Sequence, residues 1–327
     1  MVGSWSILLK NSESRIARCT VCVAALALLA SGAAAEPPSN SNSPENQSSG
    51  AAASAKLPQI TVEAQRKDTE RRVHEFVSRV AVLSHYESIA RWTMPICPLV
   101  AGLSRNDGEF VLTRFSEIAA SVGAPLASRH CDANLIVIVA SDPVASLNAW
   151  VARTRHRNLF GDAGPMQIKR FFNTQRAIRV WYNEQQASAE NGSVLSPGSS
   201  SNGPVMSGPG AMGVATVRSF DANRLERNAV WTISSVIEVV DAGAMKGFNF
   251  EQIADYIAMA GLAEFNLDAD FGTAPTILRV FLAPRENRPP SLTDWDKAYL
   301  KALYQVRLSS TMQTDLINRS MVRDISH

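Results

Sequence analysis

Three side chains in the C-terminal third of the chain could do chemistry together: Asp255, Tyr256 and Glu264. A carboxylate held in apolar surroundings beside a tyrosine gains basicity, which suits a general base in peptide or amide hydrolysis. The same groups could serve as the polar contacts of a binding cleft. Other candidates fit their chemistry less well. Gly208, Gly210 and Gly213 match the spacing of a dinucleotide-binding loop, yet they follow a low-complexity stretch, whereas that loop must join a strand to a helix whose N-terminus faces the pyrophosphate. Asn266, Asp268 and Asp270 offer alternate oxygens as a calcium loop does, but Gly272 comes one place late and Ile277 stands where a bidentate glutamate is required. An acidic turn is the expectation there. No two of His74, His85, His130, His156 and His327 stand at metal-ligand spacing, so neither a metal nor a cofactor is expected. No G-x-S-x-G elbow is present to suggest a serine hydrolase of that kind.

The elements that must position these groups follow from hydrophobic periodicity. Ile253, Ile257, Ala260 and Gly261 lie on one face of an amphipathic helix that stops at the glycine, and a terminal helix over 291–304 packs back on it. Upstream, Val73, Phe76, Val77, Val80 and Leu83 predict a helix over 69–83 with Thr69 as its N-cap. Asn106 and Asp107 cap a second helix, which carries Phe110, Val111, Phe115, Ile118 and Val122 and is stopped by Gly123. The unbroken apolar run at 134–139 reads as a strand covered on both faces. Asp142 and Pro143 open a helix, a shorter one spans 165–172, and strands follow at 177–182 and 229–240. Gly, Ser and Pro dominate 187–216, which predicts a mobile loop inside the domain. The expected fold class is therefore α/β (α+β), with residues 59–327 forming a single domain.

Set against the zinc-peptidase pattern H-E-x-x-H-x-x-G-x-x-H, the helix keeps Gly261 and has Asp255 in place of the catalytic glutamate. Ala254 and Ala258 stand at the two histidine positions, and Glu264 falls at the third ligand position. The segment 274–281, followed by Leu292-Thr293, Asp296 and Leu303-Tyr304, resembles the closing region of metzincin-type peptidases. The resemblance covers 250–304. It implies a zincin-like twisted mixed sheet over the helix, with packed helices and a C-terminal helical subdomain. The two alanines imply that the metal site is lost, because a zinc centre needs three protein ligands. A plain core helix with no such ancestry accounts for the same residues.

Charge and cysteines point to a compartment. Residues 1–35 read as a signal peptide: Lys10, Arg15 and Arg18 precede an apolar run at 21–29, and small residues at 33–35 suit cleavage before Glu36. That run is shorter than the roughly 20 residues of a spanning helix. The whole chain has 32 Lys and Arg against 30 Asp and Glu. The leader holds three of the bases and one acid, so the mature chain is formally neutral and lacks the basic excess that nucleic-acid binding needs. Residues 36–58, rich in Pro, Ser and Asn, read as a disordered linker. The next stretch, 60–67, resembles the docking segment of TonB-dependent receptors and reads as an extended lead-in. Cys97 and Cys131, the cysteines left after processing, are expected to pair in an oxidising compartment.

These readings, with a resemblance to secreted proteins of Gram-negative bacteria, lead to one expectation. It is a periplasmic or secreted, non-catalytic protein with no transmembrane domain in the mature chain, binding a cell-envelope protein or peptide. The alternative is a peptidase or amide hydrolase with a carboxylate-based site.

Overall fold

The computed structural model describes residues 57–84, 88–128, 130–154, 159–195, 199–200, 203–204 and 226–326. The chain divides into a unit of residues 1–53 and a unit of residues 54–327, and all described residues belong to the second. The signal peptide, most of the linker and the glycine triplet at 208–213 lie outside them. In the described part, seven α-helices accompany a five-stranded, mostly parallel sheet, a mixed α/β fold.

In chain order the elements are α1 (Leu57–Val80), β1 (Arg91–Trp92), β2 (Pro98–Ala101), α2 (Arg105–Val122), β3 (Leu135–Ala140), α3 (Pro143–Thr154) and α4 (Pro165–Asn173). They continue with β4 (Ile178–Ser188), the small pair β5 (Ser199–Ser200) and β6 (Gly203–Pro204), β7 (Ala229–Asp241), α5 (Phe250–Leu262), α6 (Asp294–Gln305) and α7 (Gln313–Ile325). β7 is the hub of the sheet. Along one edge it pairs antiparallel with β4, from Ser188↔Ala229 to Ile178↔Val240. Its other partners are parallel: β1 at Arg91↔Thr232, then β3 from Leu135↔Val236 onward. β2 lies outside β3.

Burial explains this order. Leu135 and Val137 of β3 join the cluster that includes α2 and α5, while Ile138 joins Leu147, Phe160 and Phe171 in a second cluster. A strand covered in this way reads as continuous apolar sequence. The disulfide between Cys97 and Cys131 links residues 34 apart in sequence and spans α2, with a Cα separation of 6.0 Å. It lies where β2 meets β3, since Cys97 donates its N–H to Asn134 Oδ1 and accepts from Leu135 N–H. Loop closure of this length stabilises by about 3–4 kcal/mol in the chain-entropy model.

Several boundaries differ from the sequence expectations. α1 begins at Leu57, so the stretch 60–67 is helical and not extended. Its exposed half is held locally by Arg66–Glu70 and Arg71–Glu75 pairs, a stabilisation independent of the buried stripe that starts only at Val73. α2 is capped by Ser104, whose Oγ accepts from Asp107 N–H. β4 runs on to Ser188, and Gly192 N–H and Leu195 N–H fold the next residues back on it through Ser188 and Gln186 carbonyls. The rest of the expected loop, apart from β5 and β6, lies outside the described residues.

α5 departs most. It was expected to be amphipathic, yet every residue from Gln252 to Leu262 is buried. A helix enclosed on all sides belongs in a core, and α2, α6 and the 3-10 turn Ile277–Arg279 supply the outer cover. Gly261 makes this possible. A Cβ there would come within 2.7 Å of Leu135 Cδ1 and 2.8 Å of Glu238 Oε1, so its lack of a side chain lets the last turn press against β3 and β7. α1 completes the C-terminal layer, with Phe76 meeting Trp295 edge-on at 5.6 Å. Among the described residues no helix is long and apolar enough to cross a membrane.

Candidate functional site

The geometry of the site starts from how α5 ends. The C-cap Ala263 is extended, not left-handed, so the last carbonyls lack the usual local backbone partners. Aromatic side chains replace them. Tyr182 of β4 donates to Ala260 and Ala263 carbonyls at 2.8 and 3.1 Å, Trp92 of β1 to Gly261 at 2.8 Å, and Tyr304 of α6 to Leu262 at 2.7 Å. These bonds fix the point where the chain leaves the helix and turns toward β4.

From there residues 264–268 run back alongside β4. Phe265 bridges to Ala81, and Asn266 N–H bonds to the Val80 carbonyl, which gives this segment its own backbone support. At one end Glu264 meets Ser84 and Glu184. Ser84 Oγ lies 2.5 Å from Glu184 Oε1 and 3.1 Å from Glu264 Oε2, and the two carboxyl groups are themselves within hydrogen-bond reach. At the other end Asp268 is ion-paired with Arg176. Between these ends a groove of about 600 Å³ is lined by Ala81, Leu83, Val180, Tyr182, Glu264 and Leu267.

Burial, then the neighbouring Glu184 charge and its hydrogen bond, push the Glu264 carboxyl up to about 8, with Ser84 opposing. Near neutral pH Glu264 therefore keeps its proton and can donate it to Glu184. Two carboxyl groups sharing one proton at a groove can receive a cation in place of that proton, or pass the proton to a bound group.

The other sequence candidates lie elsewhere. Asp255 is fully buried and its oxygens are occupied: Arg114 contacts them at 2.5 and 3.0 Å, and Leu292 N–H at 2.5 Å. It joins α5 to α2 and to the start of α6, with no path for a substrate. Tyr256 packs its ring on Phe281 at 5.0 Å, and burial raises its hydroxyl well out of the working range. Asp255 lies within α5, whereas Glu264 lies beyond its extended C-cap Ala263. Ala254 and Ala258 are also fully buried, so an imidazole at either position would face packed core and not an open cleft. Asn266 and Asp270 accept from the N–H groups of Asp268 and Gly272, which accounts for the acidic turn. Of the histidines, His74 and His130 fall within the described residues.

Glu184 and Ser84 were not foreseen. The available signal was the polar run 183–186, which interrupts a strand that is otherwise apolar where it enters the sheet. Glu238 gave a similar signal, as an acid between Ile237 and Val239. It is fully buried beneath Gly261, neither of its oxygens has a hydrogen-bond partner, and burial pushes its carboxyl far up. The chain matches no family model, and no curated protein or solved structure resembles it significantly.

Proposed function

We propose that this is an exported cell-envelope protein that acts by binding, and that its ligand, a protein segment or peptide, lies in the groove between β4 and residues 264–268. The observation that carries the reading is the placement of the Glu184, Ser84 and Glu264 cluster at the end of that groove. The cleft expected above α5 has no counterpart, because the helix is buried on every side. Export rests on the leader-like N-terminus and agrees with the Cys97–Cys131 disulfide.

A displayed library of random peptides, panned against the full chain, tests the reading. Peptides should be enriched and remain uncut, and Val180→Trp, which fills the groove floor, should remove their binding while leaving the circular dichroism spectrum unchanged. Binding that survives the filled groove would place the ligand elsewhere.

The hydrolase reading has one specific feature in its favour: burial and the neighbouring Glu184 push the Glu264 carboxyl up to about 8. Cleavage of the enriched peptides, lost in Glu264→Gln, would move the protein into that class.

A further inference from the structure

A second hollow shares no lining residue with the groove. It encloses about 270 Å³ between α1, which contributes Arg72, Phe76 and Arg79, and a facing wall that includes Phe271, Thr273 and Trp295. Two kinds of surface meet there. Phe76, Phe271 and Trp295 are buried residues that give the hollow an aromatic wall. The two arginines give it charge, and both are held in place. Arg72 and Arg79 stand seven residues apart on α1, about two turns, and so share one face of the helix. Arg72 lies over the Trp295 ring, 5.4 Å from its centre, a contact that attracts the cation without neutralising it. Arg79 donates to the Asp270 carbonyl at 3.0 Å. Gly272 makes room for that arginine: a Cβ there would come within 3.0 Å of Arg79 Nη1, and its φ of +55° is one that other residues rarely adopt. Neither contact supplies a counter-charge. Among the described residues no carboxylate pairs with Arg72 or Arg79, and Glu75, the acid on the lining, is engaged by Arg71 at 3.0 Å. Each guanidinium has five N–H donors, of which Arg79 commits one and Arg72 none among the described residues.

We infer that this hollow binds a small aromatic carboxylate, with its ring against Phe76, Phe271 and Trp295 and its carboxylate on Arg72 and Arg79. The class follows from the two surfaces. Guanidinium groups without a counter-charge select an anion, and their planar fork matches the two oxygens of a carboxylate. The aromatic wall selects a flat apolar body to go with it. An ion pair at an exposed site contributes little by itself, so neither surface suffices and affinity requires both on one molecule. The volume lies just below the roughly 300–1,000 Å³ usual for ligand pockets, which admits a single ring with a short side chain and turns away larger bodies. This site is additional to the peptide groove and does not depend on it.

The experiment is calorimetric titration of the full chain with a panel of small aromatic acids, benzoate and phenylacetate among them, alongside their primary amides, acetate and inorganic phosphate. At least one aromatic acid should bind, and at least about tenfold more tightly than its own amide, than acetate and than phosphate. Arg72→Gln and Arg79→Gln, both at exposed positions, should bring the acid down to the level of its amide while leaving the circular dichroism spectrum unchanged. Thr273→Trp, which narrows the hollow, should weaken acid and amide together. An acid and amide that bind alike remove the arginines from the account and overturn the proposal. Acetate or phosphate binding as tightly as the aromatic acids removes the ring wall and overturns it too. Failure of every aromatic acid to bind, or binding untouched in both glutamine variants, has the same consequence.

Discussion

Asp255 and Glu264 entered as similar candidates, and their surroundings separate them. Asp255 accepts from Arg114 twice and from Leu292 N–H with no exposure, so it is part of the framework. Asp255→Asn should destabilise the fold by about 3 kcal/mol in urea titration, at the low end for a broken buried pair because Arg114 keeps partial exposure and a second acid, Glu251, at 3.3 Å. Glu264 instead responds to pH. Burial raises it from 4.5 to about 8, and raises Asp296 from 3.8 to about 6 despite the hydrogen bonds it accepts from Thr276, Ile277 and Thr293. A folded-state value above the unfolded one gives stability that is complete below the unfolded value and lost as pH rises through the folded one. Stability should therefore fall from about pH 4 to 8, with Glu264 contributing at most about 1.4 kcal/mol per pH unit between 4.5 and 8. Glu264→Gln should flatten the upper part of that curve, as measured by urea midpoints across pH. A slope unchanged by the substitution would mean that the carboxyl is ionised in the fold at neutral pH.

At the scale of elements, α5 shows what a buried helix demands of its neighbours. Its apolar sequence calls for cover on every side, and its exit without a left-handed cap calls for donors, met by Trp92, Tyr182 and Tyr304. Gly261→Ala gains intrinsic helix propensity of about 1 kcal/mol. The new methyl group, however, meets Leu135, Glu238 and Phe115 at once, at 2.7 to 3.2 Å, and all three are buried. The net change should be a loss of about 1–2 kcal/mol, typical of overpacking, with a lower urea midpoint. An unchanged midpoint would show that the helix can move away from the sheet.

Much of this element scale was legible in the sequence. The apolar runs at 134–139 and 229–240, the glycine stop at 123 and the terminal helix over 291–304 all correspond to observed elements. The structure shows what Thr293 and Asp296 do: together they cap α6, and Asp296 also accepts from Thr276 and Ile277. The exposed half of α1 was missed because charge pairs hold it and no apolar stripe marks it. The burial of α5 was missed because its outer cover comes from residues distant in sequence. The candidate site was half legible. Glu264 stood out beside the helix, but Ser84 and Glu184 are 180 and 80 positions away, and long-range contacts, the pairing of β4 with β7 and the bridge of Ala81 to Phe265, bring them together.

For the whole molecule, the sheet, the α5 layer and the disulfide make a frame, and the groove lies beside β4, whose outer edge over 178–185 pairs with no other strand among the described residues. That position suits recognition of an extended chain and needs neither a metal nor the buried residues of α5. The most direct measurement is hydrogen–deuterium exchange of the full chain with and without a library-selected peptide. Slower exchange is predicted for the outward-facing amides of β4 within 178–185, with the amides of α5 unaffected. Protection that falls on other elements, with the β4 edge exchanging as fast as before, would contradict the groove as the binding site.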